Sequence, residues 1–318
     1  MTIYKLKPHF QNKIWGGRKL ETVFQYDIPA GPVGECWGIS AHKNGESIIE
    51  NGPFKGMTLS ELWEQNKLEV FGEYPHESFP LLVKILDADS DLSVQVHPDN
   101  HEAKELEGEP FGKTECWYVL DAKPGAELII GHNAKSKEEL TTEIQKGNWK
   151  SLLRKRKVKK GDFIFIESGT LHAIGSGILL LEIQQSSDTT YRVYDFDRRD
   201  QNGHLRELHH EKAIRVTNTP DQFLEKKPES RRTDEAIISQ MISTKEFSVW
   251  LYQVDGKVNL KTPDRFKLLS VTEGQGKVLS ADGGNITELK KGDHYLVPRH
   301  SEEVVILGKV EFVVSGVE

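Results

Sequence analysis

The sequence predicts a mainly β protein with two barrel-like units and a few short helices in its N-terminal half. Most of the chain consists of short strand-like runs separated by Gly, Pro, Asn and Asp residues, which favour turns. A turn-and-strand frame occurs twice, at positions 160–167 and 291–298, and such a repeat indicates two copies of one β unit. The 318 residues are enough for two domains.

The run at positions 92–98 brings three polar side chains to one face of a predicted strand. Successive side chains of an extended strand point to opposite faces. Ser93, Gln95 and His97 therefore share one face, whereas the residues between them are apolar and predict a buried opposite face.

Two further runs supply a carboxylate and a second imidazole. Lys113 and Glu115 share one face of a second strand-like run, and His172 ends a third. Two imidazoles, a carboxylate and the amide oxygen of Gln95 suit a borderline divalent ion such as zinc. A lone histidine is more often a hydrogen-bonded structural residue, and glutamine is an unusual zinc ligand, so chemistry alone ranks Gln95 lowest.

The segment before His172 has the spacing of a known barrel motif. Gly161, Gly169 and His172 match the pattern G-x5-P-x-G-x2-H, with Glu167 in place of the proline. A turn, a buried strand and a second turn would carry the histidine into a barrel. The segment resembles the second motif of the cupin superfamily, which implies a jelly-roll barrel.

The C-terminal copy of this frame lacks the metal histidine. His300 and Glu303 stand where the first copy has Gly169 and His172. The run at 268–279 reads as a hairpin without histidine. We therefore expect two stacked cupin-like units, of which only the first binds metal.

The charged, non-periodic stretch at 224–236 is the best candidate for a linker. It predicts a catalytic metal-binding domain at 1–228 and a metal-free cupin-like domain at 229–318. An N-terminal strand that crosses over to pack on the second unit remains an alternative.

Helices are predicted at only four places. Thr58 and Glu61 have the spacing of a capping box at the start of the first. Ser136 is a predicted N-cap and Gly147 follows the last residue of another. The four predicted helices are 58–65, 101–107, 136–146 and 205–216.

The charge of the chain argues against a nucleic-acid partner. The net charge is −7 and the isoelectric point is about 6.0, whereas nucleic-acid binders usually carry a basic excess. The one basic run, at 154–160, is interpreted as a solvated helix end or loop. A site for a polyanion or a small anion is the alternative.

Membrane and redox signals favour a cytoplasmic protein. No apolar run approaches the roughly 20 residues of a membrane span, and the N-terminus has no signal-peptide core. Cys36 and Cys116 lie in apolar runs and predict buried thiols in a reducing cytoplasm. We expect no membrane contact and a monomer or weak homo-oligomer.

Positions 181–198 contain further polar residues with two interpretations. Glu182 lies on a predicted strand, and Asp188 and Arg192 follow in a turn and the next strand. Spacing alone leaves a surface Asp–Arg pair, worth at most about 1 kcal/mol, as probable as a functional pair.

Four ordered motifs resolve this ambiguity. The sequences SVQVHPD, KTE, GTLH and DTTYR begin at Ser93, Lys113, Gly169 and Asp188. They occur in the order seen in type I mannose-6-phosphate isomerases. The chain resembles the short bacterial form of that family over most of its length.

The resemblance implies one zinc ion per chain and a set of site residues. The four matching ligand positions are Gln95, His97, Glu115 and His172. Arg192 matches the catalytic arginine, and Asp188 and Lys113 match two further family positions. Gly112 departs from the histidine that many members carry, so no proton-transfer role of that histidine carries over.

The implied reaction interconverts mannose 6-phosphate and fructose 6-phosphate through a cis-enediol. Lys113, Asp188 and Glu182 are the candidate bases, and the sequence does not choose among them. Arg192 suits either the enediolate or the phosphate, and Ser93 is a candidate hydrogen-bond partner of substrate.

Three other functions remain open. A cupin oxygenase would usually carry three histidines and a glutamate with an H-x-H motif, which Gln95 and His97 break. A non-catalytic sugar-binding cupin is disfavoured by Lys113 and Arg192. An isomerase for a different phosphosugar is excluded poorly by the sequence.

Overall fold

The computed structural model describes residues 3–200, 202–222, 226–262, 264–279 and 286–317, and the side chains at 302 and 303 lie outside this part. The chain forms two compact units. The first unit consists of Met1–His9, Cys36–Lys84 and Lys226–Glu318, and the second of Phe10–Glu35 and Ile85–Glu225.

Strands dominate the described part of the chain, which confirms the mainly β class. The strands are β1 (Tyr4–Lys7), β2 (His9–Gly17), β3 (Val33–Ile39), β4 (Ala41–His42), β5 (Gly45–Glu46), β6 (Ile48–Ile49), β7 (Leu81–Ala88), β8 (Val94–Val96), β9 (Glu115–Ala122), β10 (Glu127–His132), β11 (Leu153–Lys157), β12 (Phe163–Ile166), β13 (His172–Ile174), β14 (Ile178–Gln185), β15 (Tyr191–Tyr194), β16 (Glu229–Arg232), β17 (Ala236–Ser243), β18 (Ser248–Thr262), β19 (Lys267–Leu279), β20 (Ile286–Lys290), β21 (His294–Val297) and β22 (Ser301–Gly316). The helices are α1 (Lys19–Phe24), α2 (Leu59–Asn66), α3 (Asn100–Glu107), α4 (Lys137–Lys146), α5 (Trp149–Leu152) and α6 (His210–Val216), with a π-helical turn at Lys67–Phe71.

The first unit is built on one nine-stranded sheet. The strand order is β16-β17-β18-β22-β19-β21-β1-β6, with β20 paired to β19. The N-terminal strand β1 pairs antiparallel with β21, so Tyr4 lies opposite Leu296. This pairing places β1 in the same sheet as the C-terminal strands, which agrees with the alternative that an N-terminal strand crosses over to pack on the C-terminal domain. The functional division at 228/229 remains a prediction.

Two further sheets share an apolar core whose residues belong to the second unit. The strand orders are β11-β10-β13-β8-β15 and β12-β9-β14-β7-β2-β3. The core includes Trp117 and Ile164 from one sheet and Leu128 and Ile174 from the other. Burial of this apolar surface is the main stabilising contribution, at about 25 cal/mol per Å². The β8 strand places its apolar face inward through Val94 and Val96, as alternation predicts.

The helix predictions are confirmed where capping residues are present. In α2, Thr58 and Glu61 form the predicted capping box, and in α4 Ser136 is the N-cap and Gly147 the left-handed C-cap. The helix predicted from 205 begins only at His210. Two helices were missed, α1 and α5, which are six and four residues long and have no side-chain cap hydrogen bond.

Three expectations about loops were wrong. The basic run at 154–160 begins as the edge strand β11, where lysines discourage pairing with another chain. The run at 268–279 is no hairpin, because β19 pairs with β22 along its length through a bulge near Val271. The predicted linker contains β16, which pairs with β17, and its positions 224 and 225 lie outside the described residues.

Both cysteines are buried free thiols, which confirms that prediction. Within the described part, no helix is long and apolar enough to cross a membrane.

Candidate metal and active site

Three buried side chains of the second unit form a compact donor cluster. The Nε2 atom of His172 lies 3.3 Å from Oε1 of Glu115, and Nε2 of His97 lies 3.6 Å from Oε2 of the same carboxylate. At most 4.8 Å separates any two of the three donor atoms. Ligands about 2.0–2.1 Å from a tetrahedral zinc lie about 3.4 Å from one another, so the cluster has the right size.

Strand pairing brings these residues together. His172 begins β13 and lies directly opposite Gln95 of β8. Glu115 begins β9 in the other sheet of this unit. The Gln95 amide nitrogen lies 3.5 Å from Nε2 of His172, so the amide group of Gln95 borders the cluster. All four sequence-predicted metal positions therefore meet at one place.

Backbone carbonyls fix the orientation of both imidazoles. His97 donates from Nδ1 to the carbonyl of Thr189, and His172 donates from Nδ1 to the carbonyl of Thr170, both at 2.9 Å. Because a carbonyl only accepts, Nδ1 carries the proton and Nε2 presents its lone pair to the cluster. This arrangement is typical of histidines that bind metal.

The Glu115 carboxylate supports the metal assignment most strongly. It is fully buried, and neither oxygen has a hydrogen-bond partner of good geometry among the described residues. The Lys113 ammonium lies 3.1 Å from Oε2, but one ion pair leaves most of the acceptor capacity of a buried carboxylate unused. Leaving such a charge unsatisfied is costly, so these atoms fit a bound cation.

Burial also keeps His172 neutral. Loss of hydration lowers the pKa of His172 to about 4, although the hydrogen bond to Thr170 acts in the opposite direction. A neutral imidazole is the form that binds a metal. The ring packs edge-on against Trp117 at 5.4 Å between centroids.

Lys113 lies in contact with two of the donor residues. Its ammonium is 3.0 Å from Nε2 of His97 and 3.1 Å from Glu115, and the side chain is buried. The sequence predicted that Lys113 and Glu115 share a face, and the structure places both at the cluster.

Arg192 and Ser93 lie next to this cluster along the strands. Arg192 lies opposite Gln95 in the β8–β15 ladder, and its Nε donates to Oγ of Ser93 at 3.3 Å. Burial, followed by the charges of neighbouring arginines, lowers the pKa of Arg192. Both predicted residues therefore face the same side as Gln95.

The two remaining predicted residues differ in burial. Glu182 is buried in β14 and accepts a hydrogen bond from the indole nitrogen of Trp117 at 3.1 Å. Asp188 is exposed in the loop between β14 and β15. Glu182 thus contacts a residue that packs against His172.

Sequence reasoning missed the groups that orient the ligands. The carbonyls of Thr170 and Thr189 leave no signal in the sequence, because any residue supplies a carbonyl. The arginines Arg198 and Arg206, which both pair with Asp195, were also missed. The available signal for this pairing was the presence of Asp195, Arg198 and Arg206 in one short segment that also contains turn-forming residues.

Comparisons with known proteins agree with this geometry. A family model of the phosphomannose isomerase type I catalytic domain matches residues 3–131, and one of the mannose-6-phosphate isomerase cupin domain matches residues 237–317. A mannose-6-phosphate isomerase of Bacillus subtilis is 48% identical over 309 residues, which is 97% of each chain. One of Streptococcus mutans is 47% identical, covering 98% of this chain and 96% of its own.

A solved structure shows the same fold over the full length. The crystal structure of the mannose 6-phosphate isomerase from Bacillus subtilis has a TM-score of 0.96 and 44% identity, and the match covers 100% of both chains. Together with the two family models, this similarity shows that the chain belongs to the type I phosphomannose isomerase family.

Proposed function

We propose that the protein is a zinc-dependent isomerase that interconverts mannose 6-phosphate and fructose 6-phosphate. The observation that carries this proposal is the buried cluster of His97, Glu115 and His172. Among the described residues, neither oxygen of this carboxylate has a hydrogen-bond partner of good geometry. Family membership and the similarity to mannose-6-phosphate isomerases of Bacillus subtilis and Streptococcus mutans support the choice of substrate.

The donor chemistry supports zinc as the ion. His97 and His172 offer imidazole nitrogens, Glu115 offers a carboxylate, and Gln95 offers an amide oxygen as the fourth ligand. Imidazole and carboxylate ligands are typical of catalytic zinc, which can expand from four ligands to five when substrate binds. When bound, the ion supplies charge that polarises sugar oxygens and stabilises negative charge developing on them.

The protein's own residues then bind, orient and transfer protons. Isomerisation between an aldose and a ketose moves a proton between two adjacent carbons, and we infer a cis-enediol intermediate. One base must remove and return that proton. Lys113, Glu182 and Asp188 remain the candidates, and the burial of the first two supports them over the exposed Asp188.

Lys113 requires a neutral amine to act as a base. Its nitrogen lies 3.1 Å from the Glu115 carboxylate, so Lys113 lies beside the place where this carboxylate would hold a cation. Arg192 stays charged and supplies a planar pair of donors for an anionic oxygen.

Isomerase activity before and after chelation tests the proposal. Conversion of mannose 6-phosphate should be lost on chelation and restored by zinc at one ion per chain. His172→Ala should lose metal and activity together, while Arg215→Gln, a change in an exposed ion pair with Glu105, should lose neither. Failure of the zinc-restored enzyme to convert the substrate would refute the proposed reaction.

A further inference from the structure

The turn at 168–170 contacts both histidines of the donor cluster. The carbonyl of Thr170 accepts the hydrogen bond from Nδ1 of His172 at 2.9 Å. The backbone nitrogen of Gly169 donates to the carbonyl of His97 at 2.9 Å. Gly169 has a φ of 83°, a left-handed conformation that glycine adopts without strain. A change in this turn would therefore move the hydrogen-bond partner of one imidazole and a backbone contact of the other.

Asn218 makes two hydrogen bonds to this turn from a distant part of the chain. Its side-chain Nδ2 donates to the carbonyl of Ser168 at 3.1 Å, and its backbone nitrogen donates to the carbonyl of Gly169 at 2.8 Å. A Cβ on Gly169 would lie 2.5 Å from this Nδ2, so the amide packs directly against the glycine. Asn218 thus holds the two carbonyls that immediately precede Thr170, the residue that orients His172.

A buried histidine outside the donor cluster holds Asn218 in turn. Nε2 of His132 donates to the carbonyl of Asn218 at 2.9 Å, and its Nδ1 accepts from the backbone nitrogen of Ala134 at 3.2 Å. Loss of hydration lowers the pKa of His132. A neutral ring with its proton on Nε2 satisfies both contacts. His132 is therefore a fixed support for the backbone of Asn218.

Lys137 fixes the end of the helix that leads to Asn218. Its ammonium donates to the carbonyl of Ile214 at 2.6 Å, to that of Arg215 at 2.9 Å, and also to that of Thr217. Carbonyls at the C-terminal end of a helix lack partners within the helix, and a cation there interacts favourably with the helix dipole. The end of α6, and with it the start of the segment that carries Asn218, is thereby fixed.

We propose that Asn218 is a positioning residue for the metal site. Its hydrogen bonds hold the turn at 168–170 in the conformation in which Thr170 orients His172 and Gly169 contacts His97. The inference rests on the proposed function for the presence of a metal ion. The effect of Asn218 on the ion passes through the turn.

The expected size of the effect follows from this indirect contact. Loss of a partner that orients a metal-binding histidine typically costs about 10- to 100-fold in metal affinity or activity. Asn218 holds the turn rather than the imidazole, and it is exposed to solvent. Asn218→Ala should therefore weaken zinc binding by less, roughly 5-fold, which is the effect of one hydrogen bond.

Asn12 provides a matched control in the same unit. Its Nδ2 donates to the carbonyls of Ala30 at 3.1 Å and Pro32 at 3.0 Å. These carbonyls flank Gly31, which has a φ of 87°. Asn12 is also exposed, so both asparagines hold a turn around a left-handed glycine, but this turn carries no ligand of the proposed metal site. Asn12→Ala should leave zinc affinity unchanged.

Zinc affinity and stability are measured on the same metal-free proteins. Competition with a chromophoric chelator gives the zinc affinity of the wild type, Asn218→Ala and Asn12→Ala. Urea unfolding of the metal-free proteins should show a small loss of stability in both variants, since each loses side-chain hydrogen bonds at an exposed position. Only Asn218→Ala should combine this loss with weaker zinc binding. Asn218→Ser, which keeps a shorter donor, should fall between Asn218→Ala and the wild type.

Cobalt(II) in place of zinc separates positioning from a merely structural role. The visible absorption of cobalt(II) depends on the arrangement of its ligands. At full occupancy, Asn218→Ala should therefore show bands of altered position or intensity, whereas Asn12→Ala should show the spectrum of the wild type. A residue that only stabilises the fold would leave the spectrum of the occupied site unchanged.

Two results would overturn the positioning role. One is a wild-type zinc affinity and cobalt spectrum in Asn218→Ala, and the other is an equal change of both in Asn12→Ala. An active, zinc-dependent wild type with either result would refute the role of Asn218 and leave the proposed reaction standing. A wild type that binds zinc without isomerising mannose 6-phosphate would refute the proposed reaction, while the comparison of the two asparagines would still decide the role of Asn218.

Discussion

The two copies of the turn-and-strand frame have the same backbone geometry but different side chains at the position of a metal ligand. Gly161 and Gly292 adopt φ values of 89° and 91°. In each turn, an aspartate accepts a hydrogen bond at 3.0 Å from the backbone nitrogen three residues earlier: Asp162 from Lys159, and Asp293 from Lys290. The frame therefore specifies the same turn in both copies.

The strand register identifies what replaced Glu115. In the first copy, Phe163 lies opposite Tyr118 and Ile166 opposite Glu115. In the second copy, His294 lies opposite Ser270 and Val297 opposite Lys267. Lys267 thus occupies the place of Glu115. Its ammonium lies over the ring of Trp250 at 4.4 Å from the centroid.

A second contrast concerns two buried histidines with similar pKa values. Burial lowers the pKa of both His172 and His294 to about 4. His172 faces a carboxylate, whereas His294 pairs through Nδ1 with the Ser270 hydroxyl at 2.8 Å and packs against Gly38. A lowered histidine pKa therefore reports burial, and the neighbouring carboxylate is what distinguishes the metal site. Within the described residues, His97, Glu115 and His172 are the one such donor cluster.

The largest effect on activity should come from replacing the charged residue at one of two equivalent positions, Glu115 and Lys267, by glutamine. Glu115→Gln keeps the shape of the side chain but removes the anionic ligand, so zinc should be lost and activity should fall more than about 100-fold, beyond the loss typical of residues that only support a ligand. Zinc content and turnover are the measurements. Lys267→Gln is the matched control and should retain both. Zinc retained at one ion per chain in Glu115→Gln would remove the carboxylate from the site.

The donor residues were more predictable from sequence than their surroundings. Alternation in β8 and the spacing before His172 are local patterns, so His97 and His172 became candidate ligands from a few residues each. Gln95 was ranked lowest by its chemistry and became a candidate ligand through the family resemblance. The carbonyls that orient the imidazoles, and the pairing of Asp195 with Arg206, depend on where distant segments meet. Residue type carries little information about such contacts between segments that are distant in sequence.

The same distinction explains the fold. Capping residues act within one turn, so the ends of α2 and α4 were predicted. The pairing of β1 with β21 joins opposite ends of the chain, and the continuity of β19 depends on its partner β22. Both are tertiary effects that override the local turn signals of residues such as Gly274.

The next largest effect is the contribution of the buried His294 to the pH dependence of stability. The histidine has a pKa of about 4 when folded, chiefly through burial, with Asp293 raising and Lys5 lowering it, against 6.5 as its ordinary value. Between these values the unfolded chain binds more protons, so stability falls as pH drops from 6.5 to 4. A shift of this size corresponds to about 3 kcal/mol.

Replacement of His294 by glutamine should remove that dependence. Urea unfolding of wild type and His294→Gln at pH 6.5 and pH 4 gives the measurement. The free energy of unfolding of the wild type should fall by about 3 kcal/mol more than that of the variant over this interval. The metal site is the same in both proteins, so its titration cancels in the difference. Equal slopes would show that folding does not lower the pKa of His294.

The smallest effect tests whether the two turns are energetically equivalent. Gly161→Ala and Gly292→Ala each force an L side chain into a left-handed conformation, at a cost of about 1–2 kcal/mol. A Cβ at Gly161 meets no atom within 4 Å, so its cost is conformational alone. Denaturant midpoints of the two variants should shift by similar amounts, with zinc content unchanged. A much larger loss of stability in Gly161→Ala would mean that the first turn also supports the metal site, because only that copy carries the ligands. A loss of stability confined to Gly292→Ala would mean that the two turns differ in strain despite their similar backbone geometry.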